Sequence, residues 1–243
     1  MSNPTSRYEI SIFCPLYNEV DNLPRLEKAL SDFLPGCRKK ACVLFVNDGS
    51  TDGSLPLLQE ICSRNPDFYY ISIEHAGVTT AYKTAIDAVE SEFLGYIDAD
   101  LQTNPEDLNL LLDSIGDNSM AIGIRVKRKD TWFYRFQSKF GNAFRNLFTH
   151  DGAQDTGCPL RVIRTSVAKQ FPLFNGLHRF QPAMALLQEG GSFVQVPVRH
   201  YPRTAGKSKF NIWNRAFSGL VDCFAFVYIR KRTLHIHIQD SNL

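Results

Sequence analysis

Short apolar runs and amphipathic segments alternate along the first half of the chain. The apolar runs predict buried strands at 10–15, 41–46, 69–73, 93–97 and 120–124. Apolar residues at helical spacing predict helices at 23–34, 55–62, 79–89 and 105–112. This alternation is typical of the α/β class, with a mostly parallel sheet flanked by helices.

Polar clusters follow three of the predicted strands. Tyr17-Asn18-Glu19 comes after the first strand, Asp48 after the second, and Asp98-Ala99-Asp100 after the fourth. Ligands of open parallel sheets bind beyond the carboxyl ends of the strands, so three such clusters predict a single pocket. The chain has neither a GxGxxG nor a GxxxxGK[ST] run, which argues against a dinucleotide-binding or P-loop protein.

Composition indicates one folded domain with an uneven charge. The 243 residues are 44% hydrophobic and include 18 Phe, 9 Tyr and 2 Trp, which is too apolar for a disordered chain. Residues 1–124 contain 19 acids and 8 bases, whereas residues 125–243 contain 6 acids and 19 bases. The acidic half suits a metal ion, and the basic half suits phosphates, anionic lipid or nucleic acid. The alternative is a solvated surface on which charge merely segregates.

Cysteine spacing and the first residues predict a cytoplasmic protein. The six cysteines are scattered without a CxxC pair, so they are expected to be reduced. The polar start MSNPTSRYE predicts no signal peptide.

The motifs resemble family 2 glycosyltransferases of the GT-A fold. The resemblance lies in Pro15-Leu16-Tyr17-Asn18-Glu19, Val46–Asp52 (VNDGSTD) and Asp98-Ala99-Asp100-Leu101-Gln102. Within the family, the chain is most similar to the branch of dolichyl-phosphate mannose synthase and polyprenyl-phosphate glycosyltransferases. Further similarities are Gly123-Ile124-Arg125, Asp155-Thr156-Gly157-Cys158, His178-Arg179-Phe180 and the run RTAGKSKF at 203–210.

This resemblance implies an inverting transfer of one sugar from a GDP- or UDP-linked donor to a polyprenyl phosphate. It covers roughly 8–215, so we expect a catalytic domain at 1–215 and a C-terminal amphipathic helix with a tail at 216–243. The QxxRW run of processive synthases is absent, which argues against polymer synthesis.

The donor chemistry calls for a divalent cation. A departing nucleoside diphosphate develops negative charge, and Mg²⁺ or Mn²⁺ held by carboxylates can neutralise it. The resemblance implies Asp100 and Gln102 as metal ligands, and Asp98 would then face the nucleoside. Asp48 suits an acceptor of hydrogen bonds from the base, although it could instead cap the helix that follows it. The family motif also implies that Pro15, Tyr17 and Glu19 enclose the nucleoside.

The acceptor side predicts a phosphate rather than a hydroxyl acceptor. A hydroxyl must lose a proton as it attacks, yet no acid lies between Asp155 and Glu189. A phosphate monoester is already largely dianionic at neutral pH and needs only groups that hold it. The expected groups are Arg125, Arg179, Arg203, Ser208 and Lys209, and the expected catalytic residues are Asp98, Asp100, Arg125, Asp155 and Arg203. The alternative is a sugar hydroxyl acceptor in polysaccharide or glycolipid synthesis, with Asp155 as the base.

Two stretches have the composition of membrane-surface helices. In 132–148, the aromatic residues and Leu147 fall on one helical face, with Arg135, Lys139 and Arg145 on the other. The run 216–229 is aromatic, ends in three basic residues, contains Asp222 and is too short to span a bilayer. Helices packed on the core are the alternative. We expect peripheral contact with the cytoplasmic membrane face, or a membrane partner subunit.

Two further expectations concern the basic half. A nucleic-acid partner is not expected, because no RNP, KH or helix-turn-helix pattern is present. The segment 201–210 has few large apolar side chains, so it is expected to be a lid that orders over the acceptor phosphate.

Overall fold

The computed structural model describes residues 3–126, 132–172, 174–201 and 212–232. Seven strands of this described part form one sheet in the order β3-β2-β1-β4-β6-β5-β7. The strands are β1 (Ile10–Leu16), β2 (Ala41–Asp48), β3 (Phe68–Ile73), β4 (Phe93–Tyr96), β5 (Met120–Val126), β6 (Arg161–Arg164) and β7 (Phe193–Arg199).

The sheet is mostly parallel, which confirms the predicted fold class. β1 pairs in parallel with β2 and β4, β2 with β3, and β5 with β7. β6 is antiparallel to both β4 and β5, and it was not predicted because its four residues are too few for a clear alternation. β7 contains Pro197 and lies at a sheet edge, where a strand residue without an N–H is tolerated. Because β1 is parallel to both β2 and β4, the carboxyl ends of these three strands lie at the same edge of the sheet.

Helices cover both faces of the sheet. They are α1 (Leu23–Phe33), α2 (Ser54–Arg64), α3 (Val78–Ala88), α4 (Asp107–Ile115), α5 (Trp132–Thr149), α6 (Thr165–Ala168), α7 (Gln181–Leu186) and α8 (Ile212–Arg232). One apolar cluster joins the sheet to α1, α2 and α4, for example through Leu26 and Leu111. A second cluster joins the other face to α3, α7 and α8, for example through Tyr82 and Phe226.

Helices α5 and α8 pack against each other beside the sheet. The apolar pattern of α5 places Arg145 on the polar face of the helix. In the structure, however, Arg145 is not exposed to solvent but buried in an ion pair with Asp151. α8 extends beyond the predicted 216–229, while the division of the chain at 215 stays a prediction. Within the described ranges, every helix is either too short or too polar to cross a bilayer.

Candidate active site

The loops that follow β1 and β2 interlock. Asn18 has a left-handed backbone with φ of 52°, and its side-chain oxygen accepts a hydrogen bond from the Thr51 N–H at 2.7 Å. The Asn18 N–H donates to Ser50 Oγ, and the Glu19 N–H donates to Ser54 Oγ, both at 2.9 Å. Two segments more than thirty residues apart thus form one wall at the carboxyl edge of the sheet.

Asp48 is buried where that wall meets helix α3. Its carboxylate accepts the N–H groups of Ala76 (2.8 Å) and Gly77 (3.0 Å), and His75 Nδ1 lies 3.0 Å from Oδ2. The alternative that Asp48 caps α2 is wrong, because its partners precede α3. The Ser54 N–H at the start of α2 is taken by Asp52 instead. A role for Asp48 toward a nucleoside base stays a prediction.

An aromatic stack lies beside Asp48. The rings of Tyr17 and His75 are 4.1 Å apart at 19°. His75 was not predicted as a site residue, because a single histidine after a strand belongs to no specific motif. Two further predicted residues lie on the same edge of the sheet. Pro15 pairs with Val46 of the neighbouring strand, and the Glu19 carboxylate accepts a hydrogen bond from the Asn22 amide at 2.6 Å.

Asp98 and Asp100 lie in the turn after β4. Asp98 is half-buried and accepts the Tyr96 hydroxyl at 2.8 Å, while Asp100 is buried and accepts the Gln102 N–H at 3.0 Å. Burial, and then the charge of Asp100, raise the pKa of Asp98 to about 6. Leu101, which follows Asp100, has φ of 52°, so the chain turns sharply here.

The carboxylates of two of the three polar clusters, after β1 and after β4, lie near Cys14. This buried thiol has its pKa raised first by burial and then by the charges of Asp98, Asp100 and Glu19. These crowded hard oxygen donors fit a divalent cation. Within the described ranges, no group of three His, Cys, Asp or Glu side chains could hold a metal ion by itself.

Arg125 and Asp155 form a largely buried ion pair. Nε and Nη2 of Arg125 each lie 2.8 Å from one carboxylate oxygen, and the Arg125 N–H adds a bond of 3.1 Å. The two side chains are only 13% and 7% exposed. The charge of Arg125 partly opposes the rise in the pKa of Asp98 that burial and Asp100 cause, so the pair adjoins the carboxylate turn.

A further arginine at the site, Arg161 of β6, was not predicted from the sequence. Its buried guanidinium donates to the carbonyls of Thr156 (2.7 Å), Cys158 (3.1 Å) and His178 (3.0 Å). Its charge acts on Asp98 as well. Arg161 thereby joins two motifs of the sequence, 155–158 and 178–180, close to the carboxylate turn.

The remaining predicted acceptor groups divide into two sets. His178 Nδ1 lies 2.6 Å from Thr79 Oγ1 on α3, and the neighbouring Arg179 is half-buried. Arg203, Ser208 and Lys209, with nearly all of the predicted lid, lie outside the described residues. The last described residue before them, Tyr201, donates its N–H to the Gln102 carbonyl at 2.8 Å. The chain thus enters that run beside the predicted metal ligands.

Comparison with known proteins gives two kinds of match. The family model of glycosyl transferase family 2 matches residues 11–171. An undecaprenyl-phosphate 4-deoxy-4-formamido-L-arabinose transferase from Edwardsiella ictaluri is 29% identical, over 84% of this chain and 63% of that protein. A dodecaprenyl-phosphate galacturonate synthase from Rhizobium johnstonii is 26% identical, over 95% of this chain and 70% of that protein. The chain therefore spans about two thirds of the length of these relatives.

Solved structures share the fold at low sequence identity. Glucosyl-3-phosphoglycerate synthase from Mycobacterium tuberculosis, in complex with Mn²⁺, uridine diphosphate and phosphoglyceric acid, superposes with a TM-score of 0.68 at 13% identity. The match covers 93% of this chain and 79% of that one. Since the family model covers well over half of the sequence, the chain belongs to glycosyl transferase family 2 and is a glycosyltransferase of the GT-A fold.

Proposed function

We propose that the enzyme transfers one sugar from a nucleotide-sugar to a polyprenyl phosphate with inversion at the anomeric carbon. The observation that carries the acceptor is the bidentate ion pair of Asp155 with Arg125. A carboxylate that accepts charged hydrogen bonds on both oxygens is a poor base, whereas a phosphate acceptor needs none. The names of both curated relatives, which specify polyprenyl-phosphate sugar transferases, support the same acceptor.

The reaction is a single displacement. A phosphate oxygen of the lipid forms a bond to the anomeric carbon while the bond from that carbon to the donor phosphate breaks. The electron pair of that bond leaves with the nucleoside diphosphate. Within this scheme, Asp48 and the Tyr17–His75 stack bind the nucleoside, and Arg125 and Arg179 hold the acceptor phosphate together with Arg203, Ser208 and Lys209.

Asp100, with Gln102 and in part Asp98, would hold a divalent cation. Such an ion, when bound, neutralises charge on the leaving diphosphate. The crowding of Asp98 and Asp100 supports this assignment, because the second carboxylate raises the pKa of the first and a cation would relieve that repulsion. Mn²⁺ is bound in the related Mycobacterium tuberculosis enzyme, and either Mn²⁺ or Mg²⁺ suits these oxygen ligands.

A paired acceptor assay tests the function. GDP- and UDP-sugars are offered with Mn²⁺ or Mg²⁺ to a short-chain polyprenyl phosphate and to the polyprenol of the same length. Transfer to the phosphate alone is the expected result. Transfer to the polyprenol or to a sugar hydroxyl, with no product on the phosphate, would replace the proposal with the hydroxyl-acceptor reaction.

The enzyme is further proposed to act at the cytoplasmic face of a membrane through α5 and α8. Leu147 on α5 and Tyr228 on α8 are 67% and 64% exposed, and Phe224, also exposed, packs edge-on against Phe148. Arg230, Lys231 and Arg232 end α8 beside these residues. An exposed apolar surface bordered by bases is suited to the headgroup region of an anionic bilayer.

Vesicle sedimentation tests the membrane contact. The wild-type protein is expected to bind vesicles containing anionic lipid, and a Leu147→Glu/Tyr228→Glu variant is expected to stay in the supernatant with an unchanged melting temperature. If the variant and the wild type sediment equally, this surface is not the membrane contact. No sedimentation of the wild type would point to a membrane partner subunit instead.

A further inference from the structure

Tyr96 ends strand β4 between two residues that fix its ring. Its register partners are Phe13 on β1 and Arg161 on β6, so the three side chains lie on the same face of the sheet. The centroids of the Phe13 and Tyr96 rings are 5.3 Å apart, and the Arg161 guanidinium lies over the Tyr96 ring at 5.7 Å from its centroid. A second tyrosine, Tyr82 of α3, packs edge-on against the same ring at 6.1 Å. The ring of Tyr96 is thus held on several sides.

Arg161 is itself a fixed support for this ring. Its guanidinium is buried and donates to three carbonyl oxygens, those of Thr156, Cys158 and His178. These bonds leave the guanidinium little freedom to rotate, and the face of an aromatic ring attracts a cation placed over it. The ring of Tyr96 therefore keeps one orientation, so the sheet determines where its hydroxyl lies.

The Tyr96 hydroxyl meets the side chain of Asp98, two residues further along the chain. A tyrosine hydroxyl is protonated at neutral pH, so it donates to the carboxylate, and Oδ1 of Asp98 accepts this bond at 2.8 Å. Side chains two residues apart point the same way in an extended chain, and the Ile97 N–H between them still donates to the Phe13 carbonyl at 3.0 Å. Among the described residues, Tyr96 is the only one that donates a hydrogen bond to the Asp98 carboxylate.

We propose that Tyr96 is a positioning residue that holds the Asp98 carboxylate by Oδ1 and so presents Oδ2 to the bound nucleotide-sugar and its cation. The inference rests on the proposed function, since it takes Asp98 as part of the donor site. The last torsion of an aspartate side chain is broad, so a carboxylate without a partner rotates over a wide range. A carboxylate that is already held loses less conformational entropy when the nucleotide binds. Because Arg161 supports the same ring, the segments 155–158 and 178–180 are connected to the donor site through Tyr96.

The variant Tyr96→Phe tests the proposal, because it keeps the ring between Phe13 and Arg161 and removes only the hydroxyl. Calorimetric titration with UDP and with GDP, both in the presence of Mn²⁺, measures nucleotide binding without turnover. The Kd of the nucleotide that the wild type binds is expected to rise about fivefold. The KM for the nucleotide-sugar should rise by a similar factor, whereas the KM for a short-chain polyprenyl phosphate should stay within about twofold of wild type.

Tyr82→Phe is the matched control. It removes a hydroxyl from the same aromatic group, since the Tyr82 and Phe13 rings are 5.7 Å apart, but the bond to Asp98 comes from Tyr96. Its Kd for the nucleotide and both KM values should equal those of wild type, and thermal melting should show that both variants are folded.

A double variant separates positioning from direct contact. If Tyr96 acts through Asp98, its hydroxyl has no effect once the carboxylate is absent, so Tyr96→Phe/Asp98→Ala should bind the nucleotide as Asp98→Ala does. A further fivefold loss in the double variant would mean that Tyr96 contacts the nucleotide itself, which would overturn the positioning role. Equal binding by the wild type and Tyr96→Phe, or an equal loss in Tyr82→Phe, would overturn it as well. Failure of the wild type to bind either nucleotide would overturn the proposed function first, and it would be seen before any variant is compared.

Discussion

The residues of the donor side are held in place by one kind of interaction, and those of the acceptor side by another. On the donor side, short polar side chains bond to backbone N–H groups of neighbouring loops, as Asn18 does with Thr51 and Asp48 with Gly77. On the acceptor side, a buried arginine pairs with a carboxylate thirty residues away, Arg125 with Asp155. The sheet brings the loops at its strand ends together, so their hydrogen bonds form between neighbours. A buried ion pair differs, because removing either partner leaves an unpaired charge that lowers the free energy of unfolding.

The two sides also differ in charge as their ligands require. Asp98, Asp100 and Glu19 give the donor side an excess of negative charge, which a cation would offset. The positive charges of Arg125 and Arg161 adjoin it and partly oppose the rise in the pKa of Asp98 that burial and Asp100 cause. This contrast fits the uneven charge of the two halves of the sequence: the acidic half supplies the proposed metal ligands, and the basic half supplies the groups expected to meet phosphate.

The largest expected effect is on the donor side. Asp100→Asn keeps the acceptor oxygen for the Gln102 N–H but removes the charge that would bind the cation. Turnover should fall about a thousandfold, equivalent to about 4 kcal/mol of transition-state stabilisation. Initial rates at saturating Mn²⁺ measure the loss, and thermal melting confirms that the variant is folded. Asp113→Asn, which removes an exposed carboxylate from α4, is the matched control, and activity near wild type in Asp100→Asn would sink the metal assignment.

The next effect concerns the acceptor side. Asp155→Asn leaves Arg125 buried without its counter-charge and should lower the free energy of unfolding by about 3 kcal/mol. Its residual transfer should show the same pH dependence as wild type, because Asp155 is not expected to act as the base. Replacing both residues, as Arg125→Met/Asp155→Leu, should recover most of the stability but not the transfer. Denaturant unfolding and pH–rate profiles check these outcomes.

A second buried pair provides the control for this experiment. Asp151→Asn breaks the pair with Arg145, which contains no predicted ligand of the substrates. It should cost similar stability and leave the acceptor KM unchanged. If the acidic limb of the pH profile disappears in Asp155→Asn alone, Asp155 is the base and the hydroxyl-acceptor reaction gains support.

The donor side could be predicted from the sequence much further than the acceptor side. Asp48, Asp98 and Asp100 follow apolar runs directly, so a local pattern was enough to predict that they share an edge of the sheet. The partners of Asp48 were not predictable in the same way. The N–H groups of Ala76 and Gly77 are reached only because β3 lies beside β2.

The acceptor side depends on contacts that no local pattern contains. In the sequence, Arg161 looks like an ordinary polar residue of a short strand. In the structure it donates to carbonyls of two separate motifs and so joins them. Periodicity predicted apolar and basic faces of α5, but Arg145 of the basic face is buried because it pairs with Asp151, an acid outside the helix. A helical pattern alone does not contain that partner.

A third prediction tests whether the donor side is held by close contact of its loops. A Cβ at Gly49 would lie 2.5 Å from the His75 nitrogen, and the residue has φ of 64°. Gly190 has a similar φ of 68° with open space around it. Gly190→Ala should therefore cost only about 1 kcal/mol of stability, from the backbone, and Gly49→Ala about 3 kcal/mol, with an increased KM for the nucleotide-sugar. Equal losses in both variants would show that the contact with His75 is not needed.

The smallest expected effect lies at the membrane end of the acceptor side. Lys231 and Arg230 are neighbours at the end of α8. Among contacts with the described residues, Arg230 alone of the two has one, donating to the Phe148 carbonyl at 3.1 Å. Lys231→Gln should therefore leave the melting temperature unchanged and weaken binding to anionic vesicles about fivefold, which is about 1 kcal/mol for one charge near the surface.

The comparison with Arg230 separates charge from packing. Arg230→Gln loses the same charge together with the bond to α5, so it should weaken vesicle binding equally and also lower the melting temperature. The Lys231 effect should shrink as salt is raised from 0.05 to about 0.5 M, because screening removes attraction between exposed charges. Activity on a short-chain acceptor in detergent should be unchanged in both folded variants, since neither contacts the donor loops. An effect of Lys231→Gln that persists at high salt would mean that the helix end binds a protein partner or a specific lipid site rather than the surface potential of a bilayer.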